Sequence, residues 1–110
     1  MSRFAHYEAG AKQDLAEIYD YLDQRSESAA DRFYDAVYET VEQLLVSTGL
    51  GGRYQCSNPE MEGVRIWRVN GFPNHLIFYR QQGDMLQILR VIHGARDYDT
   101  MFSEDRPPNI

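Results

Sequence analysis

Six basic side chains, His75, His93, Arg65, Arg68, Arg90 and Arg96, lie in the C-terminal half of this chain and are the ones whose types could do chemistry. Together they suit metal-free cleavage of an RNA phosphodiester. That reaction needs a base for the 2′-hydroxyl, an acid for the leaving oxygen, and cations around the phosphate. Histidine can act as base or acid near neutral pH, and the planar fork of arginine pairs with phosphate. A plainer reading stands beside this one. His75 begins a strand pattern and His93 ends one, positions where an imidazole often just bonds nearby backbone. Arg96 and Asp97 adjoin, and an ion pair between them would simply pin the tail. No Cys/His set has zinc spacing and there is no glycine-rich phosphate loop, so neither metal nor cofactor is expected.

His75, Arg90, His93 and Arg96 hang on or just past two adjacent strand patterns, His75–Arg80 and Met85–Ile92, both rich in Leu, Ile, Val, Phe and Tyr. Gln81–Asp84 between them is a short polar loop containing Gly83, as in a hairpin. Gly94 ends the second strand, so Arg96 and Asp97 fall where they could reach a site at the sheet rim. Further strands are expected at Ser2–Glu8 and Val64–Val69. Ala11, Leu15, Ile18 and Leu22 recur at helical spacing and predict a helix from Ala9 to near Arg25. Ala30, Phe33, Val37, Val41 and Leu44 predict a second helix, with Ser28 as its N-cap and Asp31 three residues on. An acidic stripe of Asp31, Asp35, Glu39 and Glu42 reads as its solvated face. Ser47–Glu62, with three Gly and one Pro, reads as loop. The order β-α-α-β-β-β gives an α+β domain with a helical hairpin on one face of an antiparallel sheet. Residues 1–102 form that domain, and 103–110, with Pro107-Pro108, are expected to fray.

Alternation within the strands carries a further message. Leu76 and Phe78 oppose Ile77 and Tyr79; Val64 and Ile66 oppose Trp67 and Val69. In the last strand Leu86, Ile88, Arg90 and Ile92 oppose Met85, Gln87, Leu89, Val91 and His93. Every strand is apolar on both faces, although a helical hairpin covers one. A sheet with one wet face would alternate cleanly. The second face needs a cover: either the tail, through Tyr98, Met101 and Phe102, or a partner protein.

Charge is distributed unevenly. Residues 1–48 hold ten acids against four bases, residues 49–96 six Arg against three acids, and the tail four acids against Arg106. The net charge is −6, and ten of the eleven basic residues are Arg. That balance is a poor platform for general nucleic-acid binding, which relies on a broad basic surface. Cys56 is the single cysteine and has no internal partner for a disulfide. No run approaches 18 apolar residues and the N-terminus lacks a signal pattern, so a cytoplasmic protein without membrane contact is expected.

The wording RVIHGARD at 90–97, preceded by a strand ending IFYR at 77–80, resembles the signature of the RelE/ParE family of bacterial toxins, the ParE branch above all. Ala9, Asp14-Leu15, Ile18 and Tyr21 match that family's first helix. Ala30, Phe33 and Leu44 match its second, and Gly63-Val64-Arg65, Val69 and Gly71-Phe72 lead into the IFYR strand. One departure is visible: Thr48–Gly52 stands where the family often has a proline. The resemblance implies the toxin of a type II toxin–antitoxin system, of the kind tied to plasmid stabilisation. It also implies a cognate antitoxin partner and inhibition of DNA gyrase by protein contact. The RelE branch instead cleaves messenger RNA on the ribosome. Laid on this chain, Arg65 and Arg96 match basic residues of that branch. Trp67 falls at its lysine, His75 at an arginine and Phe102 near its tyrosine. The ribonuclease alternative therefore rests on Arg65, His75 and Arg96, while the gyrase reading expects no catalytic residue. Target contact is expected at Arg96, Tyr98 and Phe102, and antitoxin contact at Arg65, Trp67, Ile77, Tyr79, Leu89 and Val91.

Overall fold

The computed structural model describes residues 3–47 and 49–103. Strand β1 (Phe4–Tyr7) leads into helices α1 (Ala9–Asp23) and α2 (Glu27–Val46). A two-residue strand β2 (Gly52–Arg53) and a 3-10 turn (Pro59–Met61) follow. Strands β3 (Arg65–Val69), β4 (Phe72–Gln82) and β5 (Met85–His93) and a short helix α3 (Tyr98–Ser103) complete the chain. The expected α+β layering is present, with the helical hairpin on one face of a five-stranded sheet of order β1-β5-β4-β3-β2.

That sheet is mixed, where an antiparallel one was expected. The β3–β4–β5 meander is antiparallel, but β1 pairs with β5 in parallel. The cause lies in the hairpin. The Arg3 guanidinium donates to the carbonyl of Leu45, so α2 ends where β1 starts. Three antiparallel strands from that end bring β5 alongside β1 running the same way.

Three local differences have simple causes. Ser26, not Ser28, caps α2: its Oγ accepts from the Ala29 N–H, because Leu22 already takes the N–H groups of Arg25 and Ser26 and closes α1 at Asp23. The expected loop at 47–62 contains β2, because Gly51 is pressed against β3. Its N–H donates to the Tyr79 hydroxyl (2.9 Å) and its carbonyl accepts from Arg65 (2.6 Å). A Cβ at Gly51 would collide with the Ile66 carbonyl, so this segment needs glycine there. The third difference is a bulge in β5. Phe78 pairs with Arg90 but Tyr79 with Ile88, so Leu89 is an extra residue and the alternation flips beyond it.

The core lies on both sheet faces. Phe33, Val37, Val41 and Leu44 of α2 pack with Leu15 and Ile18 of α1 on Val69, Ile77, Tyr79, Leu86, Ile88 and Val91. On the second face Met61, Val64, Phe78, Ile92 and Phe102 form a smaller cluster. The tail is thus a cover of that face. Phe102 is buried, and its ring and that of Tyr98 meet Phe78 edge-on at 5.0 and 5.2 Å. The expected frayed tail lies outside the described residues from 104 onward.

Candidate functional site

The basic residues singled out for phosphodiester chemistry do not all converge: Arg65 and Arg90 are turned to other partners. Arg65 stands opposite Tyr79 in β4, four residues from His75. At about 3.3 Å per residue their backbones are roughly 13 Å apart along the sheet. The Arg65 guanidinium is turned to the carbonyl of Gly51. Arg90 is occupied too: its Nε and Nη2 donate to the two oxygens of Asp14 at 2.7 and 2.9 Å, and the Val91 N–H donates to the same carboxylate at 2.9 Å. Trp67, partly buried, packs beside the helix-side core and carries no cation.

His75 and His93 are direct cross-strand partners, with ring centroids 5.0 Å apart. The His75 ring also stands edge-on to Phe33 at 5.0 Å and to Phe72 at 6.4 Å. Burial first, and the neighbouring His93 second, push its pKa below the ordinary value of 6.5. Such a neutral imidazole against aromatic rings is packing material at the end of the core. His93 uses Nδ1 to accept the Ala95 N–H at 3.0 Å, which shapes the turn leading to Arg96. His93 bonds nearby backbone, as the plainer of the two sequence readings has it, whereas His75 packs among rings.

Arg96 is exposed just beyond this turn, and its backbone N–H donates to the His93 carbonyl. Among the described residues it forms no ion pair with Asp97. Asp97 instead caps α3, accepting from the Thr100 N–H (3.2 Å) and hydroxyl (2.7 Å), bonds that hold its pKa below the ordinary value. The Tyr54 hydroxyl donates to Asp99 at 2.6 Å, and the Asn58 amide to the Phe102 carbonyl at 3.0 Å. Burial and that bond to Asp99 raise the Tyr54 pKa. So α3 is strapped to the second face with Arg96 projecting at its base. Of the three residues expected to meet a target, Arg96 is on the surface, Tyr98 is half-buried, and Phe102 points inward.

The six residues assigned to antitoxin contact do not form one surface. Ile77, Tyr79 and Val91 are enclosed under the helices, at 0–1% exposure. Arg65 and Trp67 are half-buried, and Leu89 lies on the opposite face beside the Met61–Phe102 cluster. Alternation separates the faces of a strand, but it does not say which one the helices will take. Sequence reading also missed the Asp14–Arg90 pair, although Asp14 interrupts the apolar side of α1 and Arg90 that of β5. Two opposite charges facing one core were the available signal.

What remains is a folded scaffold with Arg65 and Arg90 turned to other partners and Arg96 exposed just beyond the His75–His93 pair. Among the described residues there is no group of His, Cys, Asp and Glu able to hold a metal ion, and no helix long and apolar enough to cross a membrane. The comparisons with known proteins fit that picture. The family model for the ParE toxin of the type II toxin–antitoxin system parDE matches residues 6–98. A solved chain from the chromosomal ParDE TA system of P. aeruginosa superposes with a TM-score of 0.66 at 23% identity, over 83% of this chain and 95% of that one. That structural likeness speaks to the fold. No curated relative matches in sequence.

Proposed function

Because the chain belongs to the ParE toxin family of type II toxin–antitoxin systems, we propose that it arrests growth by inhibiting DNA gyrase through protein–protein contact, and that a cognate antitoxin neutralises it in the cytoplasm. One observation carries the proposal: Arg65 stands roughly 13 Å along the sheet from His75, with its guanidinium on the Gly51 carbonyl. A ribonuclease must bring base, acid and phosphate cations within hydrogen-bond reach of one phosphodiester. Here one guanidinium holds a loop carbonyl, the imidazole is sandwiched among rings, and Arg96 follows a turn. Phe102 has no hydroxyl to give a proton and is buried besides. A net charge of −6 also opposes approach to ribosomal RNA at long range.

A protein–protein mechanism needs none of those groups. It needs exposed arginine and aromatic anchors on a rigid support, the residue types enriched at binding hot spots. Arg96 with the half-buried Tyr98 beside it supplies such a point, held by the α3 strap. Titration of purified gyrase with the free protein should abolish DNA supercoiling. Primer extension on messenger RNA from translating ribosomes should show no new 5′ ends. Full supercoiling activity together with codon-aligned cleavage, lost in His75→Ala or Arg96→Ala, would install the RelE-type ribonuclease in its place.

A further inference from the structure

The short strand β2 covers only part of the β3 edge. Gly52 and Arg53 stand opposite Ile66 and Arg65, and the Tyr54 N–H donates to the Val64 carbonyl at 2.8 Å. Alternate residues of an antiparallel strand turn their backbone groups to the same neighbour. Val64, Ile66 and Arg68 therefore face the β2 side. The chain leaves that side at Gly51, whose N–H goes to the Tyr79 hydroxyl in the helix-side core. Arg68 is left with its N–H and C=O turned to an edge where, among the described residues, no strand lies. An unpaired position of this kind is a template for another chain.

At this edge runs an open cleft of about 640 Å³, whose walls include Gly52, Ile66, Trp67, Arg68, Pro73 and Leu76. Ile66 and Leu76 make it apolar on the second face of the sheet. Trp67 carries a buried indole N–H that has no acceptor among the described residues. Buried donors are nearly always paired, so an orphan on a residue lining a cleft points to an acceptor that arrives from outside. The local charge runs against that of the chain. No residue lining the cleft is acidic, although the whole protein carries −6. The side chains of Arg53 and Arg68 are exposed and form no hydrogen bond or ion pair among the described residues. Arg53 also stands opposite Arg65, a like-charge placement that destabilises a strand pair. Arg68 pairs with Leu76 of the second face, and Arg65 with Tyr79 of the helix side, so arginines rise on both faces of the edge. Successive side chains of an extended strand point to opposite faces, and acids on them would meet one arginine each.

We propose that this edge docks an extended acidic segment of the target protein, with main-chain bonds to Arg68, carboxylates on Arg53 and Arg68, and an oxygen on the Trp67 indole N–H. Main-chain bonds give affinity in such a mode, and the side-chain contacts give specificity. The cleft runs toward the surface already assigned to the target: a Cβ at Gly94 would lie 3.6 Å from Leu76 Cδ1, and Gly94 begins the turn that leads to Arg96. The owner of the segment rests on the protein-contact reading above; its acidity and extended form rest on the cleft, the open backbone and the arginines.

Trp67 is the chain's single tryptophan, so its indole N–H gives one resonance in a nitrogen–proton spectrum. The probe is capped hexaglutamate, with capped hexalysine as the control. Hexaglutamate should shift the indole resonance and protect the Arg68 amide from hydrogen exchange; hexalysine should do neither. Arg68→Glu, at an exposed position, should keep its melting temperature. It should weaken both the peptide complex and the inhibition of gyrase supercoiling at least tenfold, and Arg53→Glu repeats the test from the other face. An indole resonance and an Arg68 amide indifferent to hexaglutamate at millimolar concentration overturn the docking site. Peptide binding together with undiminished gyrase inhibition by Arg68→Glu overturns the assignment of the segment to the target. A wild-type protein that binds the peptide but leaves gyrase active overturns the gyrase reading and leaves the site standing.

Discussion

The carboxylate of Asp14 on α1 receives three N–H bonds from the bulge in β5, two from the Arg90 guanidinium and one from the Val91 backbone. Asp14 is 5% exposed, so this is a nearly enclosed charge whose partners come from a strand 76 residues away in sequence. It locks the first helix to the last strand at the point where the strand's alternation changes. Gly10 shares the job, since a Cβ there would lie 2.8 Å from Arg90 Cδ.

Asp14→Ala should cost about 3 kcal/mol, because it removes two charge-assisted bonds from the Arg90 guanidinium and leaves the buried Val91 N–H without its acceptor. That is a large part of the roughly 5–15 kcal/mol available to a domain. Chemical denaturation measures it directly. A variant with an unshifted midpoint would show that the pair is ornamental.

Phe33→Ala should be comparably severe, about 3–5 kcal/mol, since the ring is wholly buried. Tyr38→Ala, one turn and a residue further along α2, should stay within about 0.5 kcal/mol because its side chain is mainly in water. Thermal unfolding of the two variants side by side checks the register of this helix. Equal losses would mean that α2 is rotated from the orientation described.

His75 ties stability to pH. Its folded pKa lies below the ordinary 6.5, by burial first and then by His93. The unfolded chain therefore takes up a proton more readily than the folded one as pH falls. The contribution of this group is whole above pH 6.5 and drains away below it. His75→Phe should flatten the stability curve between about pH 6.5 and 5, the range just below an ordinary histidine pKa. The groups facing it are Phe33 from α2, Phe72 from its own strand and His93 from β5, so His93→Gln is the control.

The layers were legible in the sequence because the periods were clean. The Phe33, Val37, Val41 and Leu44 stripe could be read without the fold, and so could the opposition of Phe78 to Ile77 and Tyr79. Two things were not legible. The parallel placement of β1 depends on which way the helical hairpin delivers the chain, a tertiary fact that no local pattern encodes. The bulge at Leu89 reassigns Arg90 from a sheet face to Asp14, and nothing in QILRVI announces an extra residue. The assignment of Ile77, Tyr79 and Val91 to a partner failed for a related reason: apolar strands invite a cover, and the protein's own helices supplied it.

The α3 strap should be separable from the rest of the fold. Tyr54→Phe keeps the ring contacts to Phe78, Tyr98 and Phe102 and removes the bond to Asp99. Its cost should be about 0.5–1.5 kcal/mol, that of one hydrogen bond. The raised Tyr54 pKa adds a pH signature: its contribution is whole below pH 10 and lost as pH rises above it, because the unfolded phenol ionises first. Truncation after Asp97 goes further and bares Phe78 and Ile92. That variant should bind a hydrophobic dye and aggregate. A well-behaved truncated monomer without dye binding would remove α3 from the role of cover.

Arg96 offers the sharpest separation of function from stability. Its side chain is exposed, and its structural bond to His93 is made by the backbone N–H, which any residue but proline supplies. Arg96→Glu should therefore change folding by no more than about 0.5 kcal/mol. If Arg96 anchors the gyrase contact, reversing its charge should weaken inhibition at least tenfold, which corresponds to about 1.4 kcal/mol. Phe102→Ala makes an instructive contrast. It too should reduce inhibition, but through loss of the buried ring that seats α3, and its melting temperature should fall in step. Measuring supercoiling inhibition and unfolding on both variants separates contact from support. Inhibition by Arg96→Glu within twofold of the parent would move the target surface elsewhere on the molecule.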